Sequence, residues 1–551
     1  MEKLSHVLGP PTDTGSHSLR VVWLKQVLPA GVLALLFYFP ALLIYPLSNL
    51  PFHDDWTYAW SVEHLLQTGQ LQILDWSVHY PLTQILWGAL FCLPFGFSFS
   101  ALRLSTVVLA WFGTLALYGT LREFGRSQHE SLIATFVLVA NPVFFVLTFS
   151  FMTDVHFVSL SNIAFFFIVR GLCRRKPVEL WLGCTFTAFA FFTRQIAIAI
   201  PASLLLYLLF APSYRFWRYI LPTAAFCLLF SVIPVLIAQI FGVTSQSTFW
   251  TTWVIDYWIH HYRQALPGIL RIFMHVGLAL LPLSIPIVIS IYRRPLFRGT
   301  VIALLILTMW SIVFVGEIPD PLEGMWQLNT LGRERHLLQG PPTPPFFPSW
   351  LTHSLFTLSL LSSAAIIVRV IDVIRAGIGN PLALFAWYAS VHFALIMVLW
   401  FFGRWNSDRY SVVLLAPLIV LLANRHFRST IALTCISILY AVSMLVIWNE
   451  NQTSRATAEA LSWLRNKNIS FAQIDAGYVL NGWNLYAHPE NLSSGEGRES
   501  DVPLVTSLTK KPYVIAASHI AGYRVIREYS WAVPLTAHKY KIYVLEQLSQ
   551  R

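Results

Sequence analysis

Two adjacent carboxylates, Asp54 and Asp55, lie just after the first long apolar stretch of the chain. A carboxylate at the edge of a membrane can accept the proton of a hydroxyl group as that hydroxyl attacks a substrate. The alternative is a solvated turn that caps the following helix, because Asp is a preferred N-cap residue. We predict a catalytic pair. If the following segment is helical, Asp55 and Tyr58 lie roughly on one face.

A second acidic position is Asp154, at the start of a later apolar stretch, with His156 two residues further on. Asp at a helix start is again open to a simple capping interpretation. Its chemical interpretation is a third catalytic acid that faces Asp54. A divalent cation can assist a departing phosphate, and we predict Asp154 and His156 as the candidate ligands.

Three arginines stand outside the usual pattern of loop charges. Arg194 lies between two apolar runs with almost no loop, and Arg404 and Arg409 lie close together before a late apolar run. Guanidinium binds phosphate through two parallel hydrogen bonds and stabilises a developing negative charge. They either hold a phosphate leaving group or pair with nearby acids. Tyr58, His79 and Tyr80 are further candidates, for shaping a sugar pocket.

Composition identifies the elements that must position these residues. Of the 551 residues, 56% are hydrophobic and only 11% are charged, which is typical of a polytopic membrane protein. We predict an all-α membrane domain of thirteen spans. Their windows are 26–47, 101–120, 131–150, 154–170, 178–193, 195–211, 219–241, 269–291, 300–316, 350–368, 382–402, 410–423 and 430–448. The stretch 82–97 is interpreted as a juxtamembrane or re-entrant helix.

Loop charge sets the predicted orientation. With the N-terminus in the cytoplasm and thirteen spans, every strong cluster of Lys and Arg falls on the cytoplasmic side, as membrane proteins prefer. The acids then face outward, and the outer loops are 48–100, 242–268 and 317–349. The third of these loops ends in a proline run and is either a spacer or a lid.

The predicted organisation has three parts in an integral protein of the plasma or inner membrane. Residues 1–25 form a cytoplasmic segment, residues 26–449 the membrane domain, and residues 450–551 a soluble extracytoplasmic α/β domain. In that domain we expect a helix at 456–464 and strands at 470–474, 513–517, 523–528 and 541–545.

Several function classes are disfavoured. The net charge of +11 comes from short clusters between apolar runs, so it indicates cytoplasmic loops and membrane lipids rather than nucleic acid. The five cysteines have no metal-site spacing. A phosphate-binding loop of the Gly-x-x-x-x-Gly-Lys type is not found, so no nucleotide cofactor is expected.

The sequence resembles the GT-C class of integral-membrane glycosyltransferases, in the branch of protein O-mannosyltransferases and lipid A aminoarabinose transferases. The resemblance covers residues 26 to about 450. It is carried, in order, by Asp54-Asp55-Trp-Thr-Tyr58 with Gly69, Tyr80-Pro81-Leu82, Phe95-Gly96, Leu102-Arg103-Leu104-Ser105, Asn141-Pro142, Met152-Thr153-Asp154, and Arg409-Tyr410 with Pro417.

The resemblance implies a polyprenyl-phosphate sugar as donor and inversion at the anomeric carbon. Asp54 takes the place of the catalytic acid, and Asp154 that of a companion acid near a divalent cation. The acceptor, a lipid, glycan or protein, is left open. The competing hypothesis is a lipid or sugar transporter or flippase, which predicts ionisable residues at mid-membrane depth.

Overall fold

The structure is a computed structural model. It describes residues 16–44, 49–77, 79–210, 216–241, 265–316, 318, 320–322, 345–376, 380–401, 408–423, 429–492, 511–534, 536 and 538–548. The described chain is mostly helical and carries a small sheet near its C-terminus. Nearly all of loop 242–268, most of loop 317–349 and Arg404 lie outside the described residues.

The helices follow the apolar windows of the sequence. They are α1 Ser16–Ile44, α2 Asp55–Thr68, α3 Leu82–Cys92, α4 Phe99–Glu123, α5 Gln128–Val139, α6 Pro142–Thr148, α7 Thr153–Arg174, α8 Pro177–Phe191, α9 Ala199–Phe210, α10 Phe216–Phe241, α11 Ala265–Ala279, α12 Leu281–Ile291, α13 Pro295–Val315, α14 Ser349–Arg375, α15 Leu382–Phe401, α16 Asp408–Ala423 and α17 Ser429–Arg465. A 3₁₀ turn, Gln195–Ile198, precedes α9.

Local chemistry explains where several helices begin. The Ser98 hydroxyl accepts from the Ala101 N–H at the start of α4, and Ser127 forms a capping box with Glu130 at the start of α5. The Asn141 side chain caps α6, whose first residue is Pro142. This Asn-Pro pair breaks one apolar stretch into two helices that meet at 73°.

The count of thirteen spans is not confirmed. By length and composition, five of the described helices are suited to cross a membrane, and seven spans result if each of two bent helix pairs counts as one. Each predicted window nevertheless coincides with a helix or a bent pair. Helix α3 has 11 residues, short of the roughly 20 that a bilayer requires, and its interpretation as a juxtamembrane or re-entrant helix stays a prediction.

The C-terminal region packs as a small α/β unit on the end of α17, a continuous helix that runs through the predicted boundary at 449/450. Its strands are β1 Ile474–Asp475, β2 Tyr513–Ala516, β3 Tyr523–Ala532 and β4 Lys539–Gln547. The sheet order is β1-β2-β4-β3, with β1 parallel to β2 and the other pairs antiparallel. Three predicted strands are present, with β3 and β4 longer than expected. The strand predicted at 470–474 is wrong for most of its length, because Phe471–Gln473 form a 3₁₀ turn and β1 begins only at Ile474.

Several polar contacts dock the C-terminal unit on residues 49–77, which we call the first outer segment after their place in the predicted loop 48–100. The Tyr478 hydroxyl is 2.6 Å from Asp54 Oδ1, and the Tyr486 hydroxyl donates to Asp75 Oδ1 at 2.8 Å. His488 Nε2 lies 3.2 Å from Glu63 Oε2. An aromatic cluster that includes the buried Trp56 fills the space between them. Residues 424 positions apart therefore meet at one surface.

The close packing of α4 against α7 yields a first prediction. A Cβ at Gly113 would lie 2.5 Å from Ser159 Cα, whereas one at Gly299 on α13 would meet nothing within 4 Å. Replacing Gly by Ala stabilises a helix by about 1 kcal/mol at either site, because Ala has the higher helix propensity. Only at Gly113 does the added methyl group also overpack the interface, which costs about 1–3 kcal/mol. We expect Gly113→Ala to lower the melting temperature in detergent relative to Gly299→Ala. Equal melting temperatures would contradict the packing.

The docking contact of His488 yields a pH-dependent prediction. Its hydrogen bond to Glu63 raises the pKa of His488 above the usual value; burial opposes this, and Glu490 adds to it. The stabilisation of the folded state by the contact between His488 and Glu63 is therefore complete below about pH 6.5. It is lost as the pH rises through the raised pKa of His488. For a partly exposed pair it amounts to less than about 1 kcal/mol.

We expect segment 477–487 to exchange its amide hydrogens faster in His488→Gln than in the unmodified protein at pH 6, with the difference vanishing by pH 9. Comparing the two proteins at each pH removes the intrinsic pH dependence of exchange. A difference that grows with pH would contradict the ion pair.

Candidate functional site

Asp54 occupies the N-cap position of α2, but its side chain makes no capping hydrogen bond. Instead Oδ1 accepts from the Tyr478 hydroxyl at 2.6 Å, and Oδ2 lies 3.3 Å from Arg409 Nη1. The preceding residue, His53, has a φ of +58°, in the left-handed region that non-glycine residues rarely adopt. The simple capping interpretation of Asp54 is therefore wrong for the side chain, which faces other elements.

Electrostatics keep Asp54 ionised. Burial raises its pKa, but contact with His53, the charge of Arg409 and the hydrogen bond from Tyr478 outweigh burial, so the pKa lies well below its usual range. A side chain that is 22% exposed can still reach a substrate. Asp54 is thus a carboxylate at neutral pH, firmly held by its partners.

Asp55 points the other way and is fully buried. It accepts from the Phe52 N–H at 2.6 Å and the Phe151 N–H at 3.4 Å, and lies 3.8 Å from Arg103 Nη2. Burial raises its pKa to about 6, although the Arg103 charge opposes this. These contacts tie the first outer segment to the residues just before Asp154. The catalytic role predicted for Asp55 stays a prediction, and this burial favours a structural one.

Asp154 forms a buried ion pair with Arg194, with Nη1 2.5 Å from Oδ1. The other oxygen of Asp154, Oδ2, is buried and makes no hydrogen bond to any residue that the structure describes. The Thr83 N–H donates to the Phe192 carbonyl at 3.1 Å, which anchors the segment that leads to Arg194.

The predicted metal site of Asp154 and His156 is not confirmed. His156 Nδ1 is 3.1 Å from the Met152 carbonyl, one turn earlier in the chain. Within the described ranges, no group of three or more His, Cys, Asp or Glu side chains is placed to hold a metal ion. The residues present do not make up the ligand set of a divalent cation, and we derive no step through one.

Tyr410 joins the two ion pairs into one cluster. The Arg194 guanidinium lies 5.1 Å from the centre of its ring, and the Arg409 guanidinium lies 5.4 Å from it, distances typical of cation–π contacts. Tyr58 is buried beside both pairs: burial raises its pKa, the Asp54 charge raises it further, and Arg409 opposes this. We call Asp54, Arg409, Tyr410, Arg194 and Asp154 the paired-charge cluster.

The structure brings most of the predicted residues together. Asp54 and Asp154 reach the same cluster from segments about a hundred residues apart, and both described arginines pair with these acids. His79 and Tyr80 are half-buried in the turn before α3, and their role in sugar binding stays a prediction. Arg404 lies outside the described residues.

Sequence reasoning missed two contributors. Tyr478 belongs to the C-terminal unit, and Trp76 Nε1 donates to its hydroxyl at 3.1 Å. No motif marks either residue. One indication of this contact is available from the sequence: the C-terminal region and the first outer loop are predicted to lie on the same side of the membrane.

Comparison with known proteins supports a class. Residues 79–238, which include Asp154 and Arg194, match the profile of a family described as dolichyl-phosphate-mannose-protein mannosyltransferase. The comparison with curated proteins found no match. The family match over residues 79–238 supports a membrane glycosyltransferase, the class that the resemblance in the motifs implied.

The chain also shows a low level of similarity to two solved membrane-protein structures. ArnT from Cupriavidus metallidurans bound to undecaprenyl phosphate is 14% identical, with 94% of this chain and 98% of that one covered and a TM-score of 0.42. The archaeal oligosaccharyltransferase AglB from Archaeoglobus fulgidus, in complex with an inhibitory peptide and a dolichol-phosphate, is 13% identical, with 81% and 58% covered and a TM-score of 0.37. Similarity at this level does not assign an activity.

The buried ion pair yields a prediction. Removing one partner of such a pair costs about 3–5 kcal/mol, because the other charge stays buried. We expect Arg194→Met to lower the melting temperature strongly and Arg194→Met with Asp154→Asn to recover much of the loss. Arg174→Met, which breaks the exposed pair with Glu123, serves as the control and costs less than about 1 kcal/mol. A double variant no more stable than Arg194→Met would contradict the pairing.

Proposed function

We propose that the protein transfers a sugar from a polyprenyl-phosphate donor to a hydroxyl group of an acceptor, on the extracytoplasmic face and with inversion, and that Asp54 is the general base. The observation that carries the proposal is the paired-charge cluster, in which Asp54 lies beside Arg409, and Arg194 lies on the same Tyr410 ring as Arg409. The family match over residues 79–238 supports the same reaction class.

The cluster lies where helices begin. Asp54 precedes α2, Asp154 is the second residue of α7, and Arg409 is the second residue of α16. The start of a helix carries unpaired N–H groups and a partial positive charge, both of which favour an anion. Three helix starts and two guanidinium groups thus favour a phosphate at this point, more than they favour the ion path of a transporter.

A donor phosphate competes with Asp54 for Arg409. Arginine prefers the bidentate geometry that phosphate offers, and Arg409 Nη1 lies 3.3 Å from Asp54 Oδ2, at the long end of a charged hydrogen bond. When Arg409 binds the phosphate instead, its positive charge lowers the pKa of Asp54 less. Asp54 then becomes a stronger base. Donor binding and base activation are coupled by this exchange of partners.

The chemical step is then a direct displacement. The acceptor oxygen forms a bond to the anomeric carbon on the face opposite the phosphate, and the bond from that carbon to the phosphate oxygen breaks. The acceptor proton passes to the Asp54 carboxylate, and the bonding electrons leave with polyprenyl phosphate. Arg409 and Arg194 stabilise the charge that develops on the leaving group.

The membrane arrangement that we propose keeps thirteen spans, a cytoplasmic N-terminus and an extracytoplasmic C-terminal unit. The five long helices, the two bent pairs and the shorter apolar helices other than α3 are its candidates. An odd number of spans places the C-terminal unit and the first outer segment on one side, in keeping with the contacts between them.

The experiment is transfer of label by purified protein from a panel of tritiated polyprenyl-phosphate hexoses and pentoses, with an extract of cells that lack the protein as the acceptor source. We expect Asp54→Asn to lower the transfer rate by about 10²–10⁴-fold, the usual contribution of a general base. The matched control is Asp75→Asn, an isosteric change in the same outer segment at an acid bound to Tyr486, which retains most activity.

If Asp54→Asn transfers the sugar at the normal rate, Asp54 is not the general base. If sealed vesicles that contain the protein take up a labelled sugar and no transfer to an acceptor is detected, the transporter hypothesis is favoured. Mass spectrometry of the lipids of cells that lack the protein identifies the donor as the lipid-linked sugar that accumulates. The glycan missing from those cells identifies the acceptor.

A further inference from the structure

The C-terminal unit presents Tyr478 to the cluster from a rigid support. Tyr478 lies in a short helix, Gly477–Asn481, held by buried polar contacts. Asp475 Oδ1 accepts from the Gly477 N–H at 3.1 Å and from Asn481 Nδ2 at 2.7 Å, and Asn481 Oδ1 accepts from the Ala476 N–H at 3.0 Å. Gly477 has a φ of +78°, which favours glycine.

The surface beneath this helix leaves little room for displacement. A Cβ at Gly482, just after the helix, would lie 2.5 Å from the indole of Trp56. Trp56 is fully buried and belongs to α2, two residues after Asp54. The helix that carries Tyr478 is therefore packed directly against the helix that Asp54 begins.

The direction of the Tyr478 hydroxyl proton follows from its two partners. Trp76 Nε1 lies 3.1 Å from the hydroxyl oxygen, and an indole N–H can only donate. The hydroxyl therefore accepts from Trp76 and directs its own hydrogen at Asp54 Oδ1, 2.6 Å away. One oxygen of Asp54 is occupied by this contact, while Oδ2 faces Arg409.

We propose that Tyr478 is a positioning residue, which holds Asp54 Oδ1 so that Oδ2 is the oxygen that takes the acceptor proton, and that the C-terminal unit thereby completes the active site. This rests on the proposed role of Asp54 as the base. An unheld carboxylate rotates about its side-chain bonds, and misplacement of a reacting group by about 1 Å can cost about 10²-fold in rate. In this proposal Tyr478 acts through Asp54 and not on the leaving phosphate or the lipid.

The test is Tyr478→Phe in the full-length protein, which keeps the ring and removes only the hydroxyl. We expect kcat for transfer from the labelled polyprenyl-phosphate sugar to fall at least tenfold, with KM for that donor and Kd for undecaprenyl phosphate unchanged within about twofold. The matched control, Tyr486→Phe, removes the neighbouring docking bond to Asp75 without touching Asp54, and retains kcat.

A second variant guards against a folding defect. Trp76→Phe leaves Tyr478 in place but removes the N–H that orients its hydroxyl, and we expect a smaller fall in kcat, about threefold, with KM unchanged. Melting temperatures of all variants identify any that unfold. In an Asp54→Asn background, Tyr478→Phe adds no further loss, because its target is gone.

The outcomes separate the two proposals. Equal losses in Tyr478→Phe and Tyr486→Phe, or a rise in KM alone, would mean that Tyr478 serves docking only and would overturn the positioning role. An inactive Asp54→Asn beside a fully active Tyr478→Phe would leave the base in place and refute the inference. An active Asp54→Asn would refute both.

Discussion

Two acid–arginine pairs on either side of one tyrosine ring are the constraint on which the rest of the site depends. Asp54 pairs with Arg409, Asp154 pairs with Arg194, and both guanidinium groups lie near Tyr410. Buried charges are costly unless they are paired. The helices that supply these residues must therefore converge at one point, and the pairing holds them there.

The two adjacent carboxylates have separate tasks because of their surroundings. Asp55 is enclosed and bound by two backbone N–H groups, so it joins the first outer segment to the start of α7. Asp54 is partly exposed and held by side chains from α16 and from the C-terminal unit. Asp55 is thus placed to hold the scaffold, while Asp54 is the carboxylate that the proposed function uses as a base, a division that two carboxylates can have only in different environments.

The C-terminal unit does not lie apart from the membrane domain. It continues from α17 without a break and closes over the first outer segment through Tyr478, Tyr486 and His488. A site at the rim of a membrane needs protection from bulk water for its electrostatics to be effective. The docked unit packs against Trp56 and Trp76, next to the candidate site.

The sequence by itself predicted the helical membrane domain and the small sheet at the C-terminus. It also marked Asp54, Asp154, Arg194 and Arg409 as candidate site residues. Apolar periodicity and loop charge act locally along the chain, and charges in an apolar chain are conspicuous wherever they occur. Only the tertiary structure decided which acid pairs with which arginine, that Asp55 turns inward, and that Tyr478 reaches Asp54 across 424 positions. Those outcomes depend on side-chain direction and on contacts between distant segments, which no local pattern encodes.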